Sequence, residues 1–273
     1  MEYVILENGL KMPIIGFGTY FLDLSKVEES VYNALINGYR HIDTAKWYRD
    51  ETLIRKALER ANIPREELFI TGKIEDLGYN QSKIDLQETI NDLGVEYLDL
   101  ILIHWPNDNY LDTYKALEEA YDKGLVKAIG LSNFNERQTK EILNNCRIRP
   151  QVNQIETHIY FQEKKMNKFL QENNIIHESW APFAEGYLGI LTDKAIEQIA
   201  KKYNKSNAQI ILRFFIEQNI PVIPKSYNAN HIKENIDIFD FKLEKEDIEL
   251  IKSLDKKTQY SPFPPCMKEE TYY

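Results

Sequence analysis

Short apolar runs rich in Ile, Val, Leu and aromatic residues recur along the chain at 14–19, 39–43, 68–73, 97–104, 126–132, 151–156, 175–180 and 220–225. Runs this apolar suit strands that are covered on both faces. Between them lie stretches with helical spacing. In 25–37, Val27, Val31, Ala34 and Leu35 share one face. Ser25 and Glu28 have the spacing of a capping box there, and Gly38 stands where a helix usually stops. Tyr114, Leu117 and Tyr121 form a second stripe, closed by Gly124, and Ser206 with Gln209 opens a further helix with a capping box. The charged run 242–257 reads as a solvated helix face carrying the stripe Leu243, Ile248, Ile251 and Leu254.

Eight strands alternating with helices predict parallel strands joined by crossovers. Eight is also the number that closes a (β/α)8 TIM barrel, whose active site lies at the C-terminal strand ends. Residues 3–11 predict a small hairpin turning at Asn8-Gly9 and capping the barrel floor. The competing α/β architecture, a doubly wound sheet, normally carries a Gly-x-Gly-x-x-Gly turn, and "GFGTY" lacks the third glycine. No linker or low-complexity stretch interrupts the chain, so residues 1–273 are expected to form one domain.

Composition narrows the function. With 273 residues, 43% of them hydrophobic, the chain can bury a sizeable core. Nothing approaches the roughly 18 to 20 apolar residues of a membrane span, and no basic-then-apolar leader opens the sequence. Cys146 and Cys266 fit neither a disulfide framework nor a Cys-x-x-Cys metal pair. A cytoplasmic protein is expected, a monomer or weak oligomer. The net charge of −9 argues against nucleic acid, although a local basic pocket can still hold a small anion.

The strand ends carry the chemistry. The first run ends in Gly18-Thr19-Tyr20 and the second in Asp43, with Tyr48 beyond. Lys73 ends the third, His104 the fourth, Ser132-Asn133 the fifth, and Gln154 with Glu156 the sixth. Trp180 ends the seventh and Lys225-Ser226 the eighth. A barrel gathers these at one mouth. A phenol has a pKa of about 10 and is a poor proton donor near neutrality. An adjacent ammonium stabilises the phenolate, a buried carboxylate keeps the ammonium charged, and an imidazole can orient a substrate oxygen. Asp43, Lys73, Tyr48 and His104 supply those four groups.

Taken singly, each has an ordinary reading: Asp43 as a cap, Lys73 as a solvated strand end, Tyr48 as one of 17 tyrosines. The set is what favours chemistry. His41 and His177 read as structural, and His158 as a brace beside Glu156. Trp47 and Trp105 flank Tyr48 and His104 and suit an aromatic pocket wall, with Tyr20 a further candidate.

The segments "GYRHIDTAKWY", "LFITGK", "LDLILIHWP", "IGLSNF", "VNQIE" and "IPKS…ENIDIFDF" occur in an order that resembles the aldo-keto reductase family over nearly the whole chain. Within it, the chain is similar to microbial diketogluconate and glyoxal reductases. The resemblance implies NADPH-dependent reduction of aldehydes or ketones to alcohols. It assigns Tyr48 as general acid, Asp43 and Lys73 as its tuning partners, and His104 as the orienter. It implies that Gly18 and Thr19 bind the cofactor, that Ser132, Asn133 and Gln154 hold the nicotinamide carboxamide, and that Trp180 stacks on the ring. Lys225 and Ser226 would grip the adenosine 2′-phosphate, with Glu234 and Asn235 beside the adenine. His231 stands where many members carry arginine, which implies a weaker preference for NADPH and some tolerance of NADH. The chain enters a helix near Asn109, where many relatives insert a longer loop, so an open mouth for small or varied carbonyls is expected. Phe263 and the terminal tyrosines, Tyr272 and Tyr273, could fold over it.

Two other functions compete. One is a regulatory or structural relative that binds the cofactor without physiological turnover. The other is a metal-dependent barrel hydrolase or isomerase using Asp43, His104 and Glu156. No metal site is expected, because suitably spaced second and third ligands are missing.

Overall fold

A computed structural model describes residues 1–261; Phe263, Cys266 and the terminal tyrosines lie outside the described residues. Seven parallel strands stand side by side in chain order. They are β3 (Phe17–Gly18), β4 (His41–Asp43), β5 (Phe69–Ile74), β6 (Leu100–Ile103), β7 (Ile129–Ser132), β8 (Val152–Glu156) and β9 (Ile176–Trp180). The eighth run is shorter than its apolar pattern predicts. It pairs only through Val222, which bridges Ile15 on one side and Ser179 on the other. Pro221 and Pro224 explain the loss: neither has an N–H to give, so the ladder cannot extend past one residue. Backbone bonds from Gly16 N to Val222 O (2.9 Å) and Ser179 N to Pro221 O (2.8 Å) still close the ring. The first and eighth runs approach closely here; a Cβ on Gly18 would meet Ile223 O at 2.9 Å. The architecture is a (β/α)8 barrel with one strand reduced to a bridge.

The predicted hairpin is present as β1 (Tyr3–Ile5) and β2 (Lys11–Pro13), antiparallel, with Gly9 in the left-handed region. Asn8 N reaches Gln151 Oε1 at 2.9 Å, and Asn8 Nδ2 reaches Lys127 O at 2.9 Å. Both partners lie just before strands, so the hairpin covers the N-terminal floor.

Helices pack outside: α1 (Leu24–Ile36), α2 (Glu51–Ala61), α3 (Tyr79–Leu93), α4 (Tyr110–Asp122), α5 (Glu136–Asn145) and α6 (Lys164–Glu172). They continue as α7 (Lys194–Tyr203), α8 (Asn207–Ile216), α9 (Ala229–Ile236) and α10 (Lys245–Ser253). The predicted α1 stripe of Val27, Val31, Ala34 and Leu35 is buried. Its cap differs from the expected one. Asp23, two residues earlier, accepts from Ser25 N at 2.8 Å, so Ser25 is the capped donor and the helix begins sooner. At α8 the capping box between Ser206 and Gln209 forms in both directions.

Candidate active site

Register places the polar groups. Asp43 pairs with Thr71, Ser132 with Gln154, and Gln154 with Glu178, so carboxylate and amide side chains from neighbouring strands face one another near the barrel's C-terminal end. Lys73 Nζ donates to Asp43 Oδ1 at 2.5 Å and to Thr44 O at 3.1 Å. Lys73 and Asp43 are 1% and 2% exposed. Two buried opposite charges with further hydrogen bonds make a pair that neither partner can leave without a large penalty.

Behind this pair lies a carboxyl that the sequence reading missed. Gln154 Nε2 donates to Asp43 Oδ2 at 2.8 Å and to Glu178 Oε2 at 2.9 Å. Burial, followed by the charge of Asp43, pushes the Glu178 carboxyl up to about 8, so it keeps its proton near neutrality. A neutral Glu178 leaves one anion to balance Lys73. Its signal in the sequence was the spacing itself, since residue 178 sits two before Trp180 within an apolar run. No described residue donates to Gln154 Oε1, which is left as an acceptor.

Tyr48 lies on a 3-10 turn beyond β4, half-buried, with Lys73 Nζ 5.4 Å from its ring centroid. His104 packs edge-on against it at 5.6 Å between centroids. The four groups therefore share one place. The phenol is not lowered as the charge argument anticipates: burial, then the negative charge of Asp43, pushes it well above its ordinary value. Asp43 cancels much of the field of Lys73, so Tyr48 holds its proton firmly until something more basic arrives.

Asn133 is committed on both sides. Its Nδ2 donates to His104 O at 2.9 Å and to Ser132 Oγ at 3.1 Å, while its Oδ1 accepts from Trp180 Nε1 at 2.9 Å. This fixes the indole at the edge of the cavity. Thr19, by contrast, sits behind the wall: it is buried, and its hydroxyl donates to Asp43 O at 3.3 Å.

A cavity of about 910 Å³ runs from Tyr48 and His104 past Trp180 to the start of α9. Tyr20, Trp47 and Trp105 form its aromatic wall near the phenol, with the Tyr20 ring 5.1 Å from that of Tyr48. Gly18, Ser132, Asn133 and Gln154 line its middle. Lys225, Ser226, His231, Glu234 and Asn235 line the far end. Glu75, absent from the sequence reading, also lines it, and its Oε1 lies 2.7 Å from His104 Nδ1. Its signal was the strand alternation that places residue 75 on the side of Lys73.

Glu156 stands outside this cavity. Its oxygens accept from Tyr260 N (2.5 Å), Ser261 N (3.1 Å) and His158 Nε2 (3.0 Å), so it anchors the last described residues and His158 braces it. Asp43, His104 and Glu156 thus form no common site, which removes the hydrolase reading. Among the described residues no group of His, Cys, Asp or Glu is arranged to hold a metal, and no helix is long and apolar enough to cross a membrane.

The sequence profile of the Aldo/keto reductase family matches residues 14–256. The chain belongs to that family. The chain is 41% identical over 267 residues to the glyoxal reductase of Bacillus subtilis (strain 168), covering 96% of each. It is 36% identical over 262 residues to methylglyoxal reductase DkgA of Escherichia coli (strain K12), covering 95% of each. Among solved structures, MGS-M4, an aldo-keto reductase from a Medee basin deep-sea metagenome library, superposes with a TM-score of 0.92 at 40% identity. That match covers 94% of this chain and 96% of the other. The protein is accordingly an oxidoreductase of small carbonyl compounds.

Proposed function

We propose that this aldo-keto reductase uses NADPH to reduce small aldehydes and ketones, 2-oxoaldehydes such as glyoxal and methylglyoxal among them, with Tyr48 as the proton donor. The observation that carries the reading is the convergence of Tyr48, His104 and Asp43 on one long cavity, with Lys73 paired to Asp43 just behind its wall. The far end suits an anion: an ammonium from Lys225, a hydroxyl from Ser226 and an imidazole from His231 gather where α9 begins. The middle suits a carboxamide, since Gln154 keeps an acceptor and Trp180 presents a fixed aromatic ring.

The bound dihydronicotinamide would supply a hydride to the carbonyl carbon. The chain's residues do the rest. The wall of Tyr20, Trp47 and Trp105 seats the carbonyl and limits water. As negative charge develops on the substrate oxygen, that oxygen becomes far more basic than the raised phenol of Tyr48, and the proton transfers. Lys73 then stabilises the phenolate at short range, with Asp43 keeping the ammonium in place. General-acid assistance of this kind contributes about 10² to 10⁴ in rate. The substrate class comes from the names of the relatives and from the short chain between Trp105 and α4, which among the described residues adds little cover there.

Following NADPH absorbance with glyoxal, methylglyoxal and a panel of aldehydes and ketones tests the reading. Oxidation of NADPH is expected with at least the 2-oxoaldehydes. Tight NADPH binding with no turnover of any carbonyl would instead favour the regulatory reading.

A further inference from the structure

His104 is held by its backbone and by one side chain. Its N donates to Ile74 O at 2.8 Å, and its O accepts from Asn133 Nδ2. The ring is turned by Glu75, whose Oε1 lies 2.7 Å from Nδ1. Glu75 is itself rooted firmly. The adjacent Asp76 is buried and accepts from Asn107 N (2.9 Å), Asn109 N (3.0 Å) and Thr113 Oγ1 (2.8 Å), which pins the short loop after β5 to the start of α4. The other ring nitrogen, Nε2, has no hydrogen-bond partner among the described residues.

A carboxylate only accepts hydrogen bonds, so the imidazole nitrogen facing it must carry hydrogen. A neutral imidazole has one N–H, and here Glu75 claims it. A carbonyl oxygen also only accepts, so it gains nothing from a bare Nε2. We propose that Glu75 is a positioning residue that holds His104 in the Nδ1–H tautomer, so that Nε2 offers a lone pair when the ring is neutral and a hydrogen only after it takes up a proton. This rests on the reading of His104 as the group that orients the substrate oxygen. Only the protonated ring can then hold a carbonyl oxygen, and the neutral ring cannot.

The balance of charge around the ring sets where the change occurs. Burial pushes His104 below its ordinary value, and this outweighs the hydrogen bond and charge of Glu75, which pull it up. Lys73 opposes the proton and Asp43 favours it more weakly. Tyr48, the remaining titratable group packed on the ring, keeps its proton throughout this range. As pH rises, the kcat/KM for carbonyl reduction should therefore begin to fall below the ordinary histidine range, by about tenfold per pH unit once the ring is neutral. In Glu75→Gln, the amide oxygen still accepts from Nδ1 but the negative charge is gone, so the decline should move to lower pH. In Glu75→Leu the ring is free to carry its hydrogen on Nε2, and the decline should disappear.

The direct test is the nitrogen resonances of His104 in protein labelled with 15N-histidine, assigned by their loss in His104→Gln. At pH 8 the account expects a protonated Nδ1 and an unprotonated Nε2 in the wild type. Hydrogen on Nε2 instead, or a pH profile of reduction that Glu75→Gln and Glu75→Leu leave unmoved, would overturn it. These outcomes separate from failure of the functional reading, which shows as no NADPH oxidation by the wild type whatever the tautomer.

Discussion

Lys73 Nζ lies 2.5 Å from Asp43 Oδ1, and neither side chain reaches solvent. Breaking one side of such a pair leaves the other charge buried and alone, at a cost of about 3–5 kcal/mol. Asp43→Ala should lose stability on that scale in urea titrations. Asp43→Ala with Lys73→Met should lose less than the sum of the two single changes, because the stranded ammonium is gone. Additive losses would mean that the two charges are stabilised independently.

At the far end of the cavity, discrimination between NADPH and NADH is expected to rest on Lys225 and Ser226, with His231 a weak third partner. Removing a charge-assisted hydrogen bond costs about 1.5–3 kcal/mol, so Lys225→Ala should narrow the NADPH:NADH ratio of kcat/KM by about tenfold or more. His231→Arg should widen it, since a guanidinium keeps its charge and can grip a phosphate with two N–H groups. A ratio unmoved by both changes would place the 2′-phosphate elsewhere.

The repeating apolar runs made the barrel legible, and seven of the eight appear as strands in the expected order. The eighth shrank to a bridge because apolarity reports burial, whereas pairing needs N–H groups that Pro221 and Pro224 lack. The α1 cap moved for a similar reason: Ser25 has the right spacing to Glu28, but Asp23 is the stronger acceptor just upstream. In the site, groups that stand at strand ends were readable. Glu178 and Glu75 were not, because one hides within an apolar strand and the other lies just past the end of β5, where a charged residue ordinarily reads as solvated. What such a carboxyl does depends on partners such as Gln154 and His104, which only folding brings near.

Glu163 gives a pH test of stability away from the reaction. It opens α6, is buried, and burial followed by the charges of Asp255 and Glu156 pushes its carboxyl up to about 8. The unfolded chain releases that proton near the ordinary carboxylate range, so between there and about 8 the native state binds more protons than the unfolded one. Stability should fall across this window, by up to about 1.4 kcal/mol per pH unit from this group, and level off above it. Glu163→Gln removes the slope: Tm should match wild type near pH 5 and exceed it by several degrees near pH 8. Equal Tm differences at both pH values would show that the carboxyl is not buried as described.

The central claim is that the phenol of Tyr48 delivers the proton in a cavity that binds the cofactor independently of it. Tyr48→Phe keeps the ring against Tyr20 and His104 and removes only the hydroxyl. Single-turnover and steady-state NADPH oxidation with methylglyoxal, alongside NADPH binding followed by protein fluorescence, measures both halves of the claim. The account predicts turnover lower by about 10² to 10⁴ with binding within a few-fold of wild type. Turnover close to wild type in Tyr48→Phe would contradict it.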